Sequence, residues 1–152
     1  MAKKTFNEKL HDSKNLPHVE IITDQKVIDR YGGNRMLIAA PIEYDEIVRR
    51  IPEGYLLTAD KIRNYLTQKH QVDFTCPLTA GIFMSLVARA SEERTTDKTP
   101  YWRTLKSKGE LNEKYPGGYE NQKKHLEQEG HTVIQKGKRF FVEDYENKLF
   151  TL

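Results

Sequence analysis

Cysteine is nearly absent from this chain: Cys76 stands alone among 152 residues. That excludes an intramolecular disulfide framework, and with no C-x-x-C pair nothing suggests structural zinc. Five histidines (His11, His18, His70, His125 and His131) are scattered, with no carboxylate at metal-ligand spacing, so neither a metal nor a cofactor is expected. No apolar run approaches the roughly 20 residues that span a bilayer, so no membrane partner is expected. The basic start MAKKTFNEKLHD has no apolar segment behind it and does not read as a secretory signal. Repeats and low-complexity segments are also missing. A reducing, cytoplasmic location follows as the expectation.

What is present suits one ordinary domain: 37% hydrophobic and 31% charged residues, with a net charge of +3. The positive charge is uneven. Residues 89–139 carry 12 Lys/Arg against 8 Asp/Glu. That balance is compatible with a phosphate-facing surface and equally with an ordinary solvated one.

Phe6 and Leu10 predict a short helix before Pro17, HVEII a strand, and DQKVIDRY a helix stopped by Gly32-Gly33. MLIAAP fits a buried strand or a loop. IEYDEIVRRIP sets Ile42, Ile47 and Ile51 along one side, closed by Pro52 and Gly54. LLTADKIRNYLTQKH opens with Thr58 as the expected N-cap. In FTCPLTAGIFMSLVARASEE, Thr75 is the expected N-cap and Pro77 suits the first turn. Leu78, Ile82, Phe83, Leu86 and Val87 then form a strong apolar face. YWRTL reads as a strand turning at Lys106–Gly109, which sets Tyr101 and Trp102 on opposite sides, one buried and one lining a cleft. GGYENQKKHLEQEG predicts a helix ending at Gly130, and the segments around Lys136-Gly137 predict a β-hairpin.

The expected class is α+β: helices, a hairpin, a helix and a C-terminal hairpin. Helix, short connection, helix and hairpin is the layout of a winged helix-turn-helix DNA-binding domain. There the second helix, here Pro77 to about Ala90, enters the major groove. The expected organisation is an N-terminal helical extension (1–40), the winged-helix domain (41–131) and a C-terminal β-hairpin packed on it (132–152).

The ordered pieces from Ile42 to Gly130 resemble the DNA-binding domain of the alkylguanine-DNA alkyltransferases and the alkyltransferase-like proteins. Ile51-Pro52-Glu53-Gly54 matches the turn that closes the first helix. Thr58 and Ile62 match the threonine-capped helix, and the helix from Pro77 matches the recognition helix. Pro100-Tyr101-Trp102-Arg103 aligns with the reactive Pro-Cys-His-Arg, and Gly117-Gly118 through Glu129-Gly130 matches the closing helix. About 90 residues are covered; the flanking segments find no match.

The resemblance implies a fold that handles alkylated guanine in duplex DNA. The alkyl-accepting cysteine is replaced by Tyr101 and the neighbouring histidine by Trp102. A phenol with a pKa near 10 and no imidazole beside it does not perform that transfer at neutral pH. The alkyltransferase-like proteins also lack the cysteine and bind the lesion without repairing it. A one-residue shift would set Trp102 in that place instead. Where the family has a base-flipping tyrosine and a stack-filling arginine, this chain has Ala59 and Gly81.

The resemblance therefore implies no catalytic residue and a base pocket of Tyr101, Trp102, Arg103, Tyr115, Gly117, Gly118 and Glu129. It implies DNA contacts by Thr58, Lys61, Thr79, Gly81, Lys106 and Lys108. The partners implied are double-stranded DNA with alkylated guanine and a repair protein. Two alternatives stay open: a scaffold repurposed as a regulatory or protein-interaction module, and a methyltransferase using Cys76. For Cys76 a buried structural role is favoured. Glu92, Glu93 and Asp97 read as solvating charges.

Overall fold

The computed structural model describes residues 3–152, and its helices begin where side-chain caps offer themselves. Thr5 accepts the Glu8 amide while Glu8 accepts the Thr5 amide, a capping box that starts α1 (Phe6–His11). Asp24 caps α2 (Gln25–Tyr31), which stops at Gly32 with φ +80°. Between them β1 (His18–Ile21) pairs antiparallel with β2 (Arg35–Ile38). MLIAAP is thus partly strand, and Leu37 lies in the core.

Pro41 opens α3 (Pro41–Arg49), whose Tyr44, Ile47 and Val48 are buried. β3 (Leu57–Thr58) leads directly into α4 (Ala59–Lys69). Thr58 holds the N-cap position but makes no capping hydrogen bond, because pairing with Leu105 buries it in the sheet. β4 (Phe74–Thr75) pairs parallel with β2, completing the sheet order β1-β2-β4. That pairing also corrects the cap of α5 (Pro77–Glu93). The Thr75 hydroxyl turns to the Arg63 carbonyl, and Cys76 caps instead, its Sγ accepting the Thr79 amide at 3.5 Å. Cys76 is buried there in a structural role.

The apolar face expected on α5 is only partly core. The inward face is Ala80, Met84, Val87, Ala88, Ala90 and Ser91. These small residues let α1 and α3 approach closely, and this leaves Leu78 at 73% and Ile82 at 56% exposed. α1 is tied to the far end of α5 through the Glu93 carboxylate, which accepts the Phe6 and Asn7 amides at 2.9 and 3.0 Å. Glu93 is therefore a helix cap, not a merely solvating charge.

After α5 the chain departs from the expected hairpin. Tyr101–Arg103 winds into a 3-10 turn, because the Arg103 amide bonds Pro100 and the Thr104 hydroxyl bonds the Tyr101 carbonyl. Only β5 (Thr104–Leu105) is extended, and it pairs parallel with β3. Ser107–Gly109 forms a second 3-10 turn. α6 (Gly118–Gln128) and the hairpin β6 (Val133–Lys136) with β7 (Arg139–Val142) follow. Leu56, Leu105, Leu111, Leu126 and Val142 make a second core here, distinct from the one around Tyr44 and Val87. The described residues form a mixed α/β fold with six α-helices and small sheets.

Candidate nucleic-acid interface

The 3-10 turn seals Tyr101 completely inside the protein, against Ala88 and Tyr115. Its hydroxyl donates to Glu92 at 2.6 Å and accepts from Asn121 at 3.0 Å. Burial, with Glu92 beside it, pushes the phenol well above its ordinary pKa, so it stays neutral. Tyr101 and Trp102 do not sit on opposite faces of a strand; their rings meet edge to face 5.4 Å apart. Trp102 is half-buried and stacks on His125 at 4.1 Å.

Arg103 and Glu129 form the hub of this layer. The guanidinium reaches the carboxylate through Nε at 2.8 Å and Nη2 at 2.9 Å, and Nη1 bonds the Ile51 carbonyl at 2.7 Å. Trp102 Nε1 donates to the same carboxylate at 2.8 Å. Burial alone would push the Glu129 pKa up; the Arg103 and Trp102 donors outweigh it and hold the carboxyl below its usual range. The turn closing α3, the 3-10 turn and the end of α6 are thereby locked together.

Tyr115 is buried, its hydroxyl 2.5 Å from that of Thr104, and burial pushes its pKa up to about 12. Gly117 holds φ +80°, where a Cβ would meet Asn121 at 2.5 Å, so glycine is required. Gln122, which sequence reasoning did not single out, is buried and holds the Trp102 and Thr104 carbonyls and the Asn112 amide. The expected base-pocket residues are neighbours, but Tyr101 and Tyr115 are fully engaged in the interior.

The open space lies elsewhere, along the outer face of α5. A groove of about 1100 Å³ runs between α1 and the 106–114 segment. Its floor holds Leu78, Gly81, Ile82 and Leu86. Lys4, Lys9, Lys14 and Arg89 line one side, and Lys106 and Lys114 the other. Asp12 pairs with Lys4, and Glu113 with Lys106 at 2.8 Å. Of the expected DNA contacts, Gly81 and Lys106 line this groove. Lys61 and Lys108 are exposed outside it, Thr79 is half-buried beside it, and Thr58 is buried. The basic residues Lys4, Lys9 and Lys14 in and around α1 were not legible as part of this surface, since more than 60 positions separate them from α5.

Two histidines make this layer acid-sensitive. Burial pushes the pKa of both His125 and His131 below the ordinary 6.5, so the fold favours their neutral forms. Their contribution is fully present above about pH 6.5 and is lost as pH falls through the lower folded values. The melting temperature is expected to be level from pH 8 to about 6.5 and to decline below. In a His125→Gln, His131→Gln variant the decline should start only near pH 5, where carboxylates held low in the fold, such as Glu129, begin to take up protons in the unfolded chain. An identical pH profile for both proteins contradicts this assignment.

The chain matches no family model and no curated protein sequence. Among solved structures it is similar to S. pombe Atl1 in complex with damaged DNA containing O6-carboxymethylguanine. That match has a TM-score of 0.53 and 18% identity over 74% of this chain and 94% of that one. A second similar structure, S. pombe ATL in complex with DNA, gives a TM-score of 0.56 and 19% identity with the same coverage. The chain therefore shares the fold of these alkyltransferase-like proteins. None of the described helices is long and apolar enough to cross a membrane.

Proposed function

We propose that this protein binds duplex DNA across the outer face of α5 and recognises alkylated guanine without accepting the alkyl group. The supporting observation is the basic-walled groove along α5, in a fold shared with two structures solved in complex with DNA. In this reading α4 and α5 are the helix pair of a winged-helix domain, and the 106–109 turn, with Lys106 and Lys108, stands where a wing reaches the backbone. Lys61, Thr79 and Gly81 lie toward the DNA, whereas Thr58 acts as scaffold. The first forty residues are an added layer supplying a basic wall. The C-terminal hairpin is a second added layer.

Alkyl transfer is excluded from this reading because the residue in the nucleophile's place is a sealed phenol that burial and the Glu92 charge keep neutral. Tyr101, Trp102, Arg103, Tyr115, Gly117, Gly118 and Glu129 shape the wall behind the reading site. A cytoplasmic protein of this kind would mark a lesion for a repair partner.

Ile82→Glu tests the surface. Ile82 is exposed, so the melting temperature should not change, while a carboxylate facing phosphates should weaken binding to any duplex roughly ten-fold or more. Unchanged affinity would remove α5 from the interface.

A further inference from the structure

A small cavity of about 70 Å³ leads off the groove into the protein. Its mouth is formed by Ala59, Pro77, Gly81, Lys106 and Asn112, which line the groove as well. Its interior is mostly apolar, with Ile62, Ala80, Met84 and Leu105 in the wall. Four polar side chains stand in its inner wall: Thr104 and Tyr115 bond each other, whereas Tyr44 and Arg63 have no side-chain hydrogen-bond partner among the described residues.

The first unpartnered group is Tyr44. It lines the cavity and is fully buried, and its hydroxyl has no hydrogen-bond partner among the described residues. The buried phenols Tyr101 and Tyr115 on the neighbouring elements are both bonded. An unpaired buried hydroxyl is a net cost to the fold, so a partner that enters from outside recovers a real loss. Burial holds the phenol protonated, and it therefore offers a proton to an acceptor. The second is Arg63 in the same wall, near enough to act on the Tyr44 hydroxyl electrostatically. Arg63 takes part in none of the ion pairs among the described residues.

One donor, one uncommitted cation and apolar walls select a small anion on an apolar stem. The volume corresponds to roughly five water molecules, enough for a substituent of about four heavy atoms and too small for a base. We propose that the cavity is a subsite for a small carboxylate-bearing substituent on a DNA-bound base, with Tyr44 donating its hydroxyl and Arg63 supplying the countercharge. The small side at Ala59 and the bare backbone of Gly81 keep the mouth open; nothing lies within 4 Å of where a Gly81 Cβ would be. This assignment rests on the DNA-binding reading and gives it a lesion class.

The test compares three duplexes of one sequence, containing O6-carboxymethylguanine, O6-methylguanine or unmodified guanine, with the full chain, Tyr44→Phe and Arg63→Gln. The wild type should prefer the carboxymethyl duplex over the methyl one by roughly ten-fold, the scale of a hydrogen bond to a charged group. Both variants should lose that preference and keep their affinity for the other two duplexes. Tyr44→Phe should melt no lower than wild type, since it deletes an unpaired hydroxyl. If the wild type shows no such preference, or Tyr44→Phe retains it, the hydroxyl is served by water only and the subsite is overturned. A uniform loss across all three duplexes in Arg63→Gln also overturns it, by making Arg63 a phosphate contact. Wild-type protein that binds none of the duplexes overturns the DNA-binding reading itself, and with it the subsite.

Discussion

Glu129→Ala is expected to destabilise the fold by roughly 3–5 kcal/mol, because it leaves a buried guanidinium without its carboxylate. Arg103 is only 14% exposed in its side chain, and Glu129 7%. The alanine also strands the Trp102 N–H, which has Glu129 as its acceptor. For a chain of this length, that loss lowers the melting temperature by roughly 6–20 °C. The pair's geometry explains the size. Arg103 also holds the Ile51 carbonyl, so three segments distant in sequence lose one shared clamp. Replacing both partners, as Arg103→Met with Glu129→Leu, should recover much of the loss, since no charge is then left buried alone. Urea melts of the three proteins measure this. A single-variant loss under about 1 kcal/mol would mean that the pair behaves as a surface ion pair.

Tyr101→Cys is expected to produce neither alkyl transfer nor a stable protein. Shrinking a fully buried tyrosine opens a cavity beside Ala88 and Tyr115, at a cost of about 3 kcal/mol or more. The new thiol would be buried, with the Glu92 carboxylate across the opened cavity, and burial and that negative charge both oppose thiolate formation. The neighbouring indole accepts no proton, so it cannot activate the thiol as an imidazole would. The measurement is label transfer from alkylated duplex DNA to protein. Stoichiometric labelling of the introduced thiol would show that the turn retains a latent active site. Absence of label together with a lowered melting temperature fits a turn rebuilt for packing.

Much of the scaffold was legible because its signals are local. Pro77, Gly32 and Gly130 each act within a few residues of themselves, so sequence alone places their helix ends. What failed was non-local. Adjacent large rings at Tyr101 and Trp102 read as a strand, but the turn that forms instead is held by Glu92 of α5, Gln122 of α6 and Glu129 just beyond it. On α5 the periodicity showed an apolar face without showing which way it turned. Packing against α1 and α3 decided for the small residues and left Leu78 and Ile82 outside. The candidate surface was half legible: Gly81 and Lys106 lie on the groove, whereas Thr58 went into a sheet that forms only when residue 105 arrives. Nothing near Tyr44 in the sequence marks it as unpaired; that depends on four segments meeting around it.

The central claim is that this chain holds duplex DNA through a basic groove, prefers alkylated guanine, and leaves the alkyl group in place. The most direct measurement is the affinity of the full chain for matched duplexes with and without O6-alkylguanine across a salt series. The mass of the recovered protein is determined at the end. The account predicts tighter binding to the alkylated duplex, affinity that falls steadily with salt as phosphate contacts release counterions, and an unchanged protein mass. No affinity for either duplex at low salt would contradict it, and a protein heavier by one alkyl group would contradict the non-catalytic part.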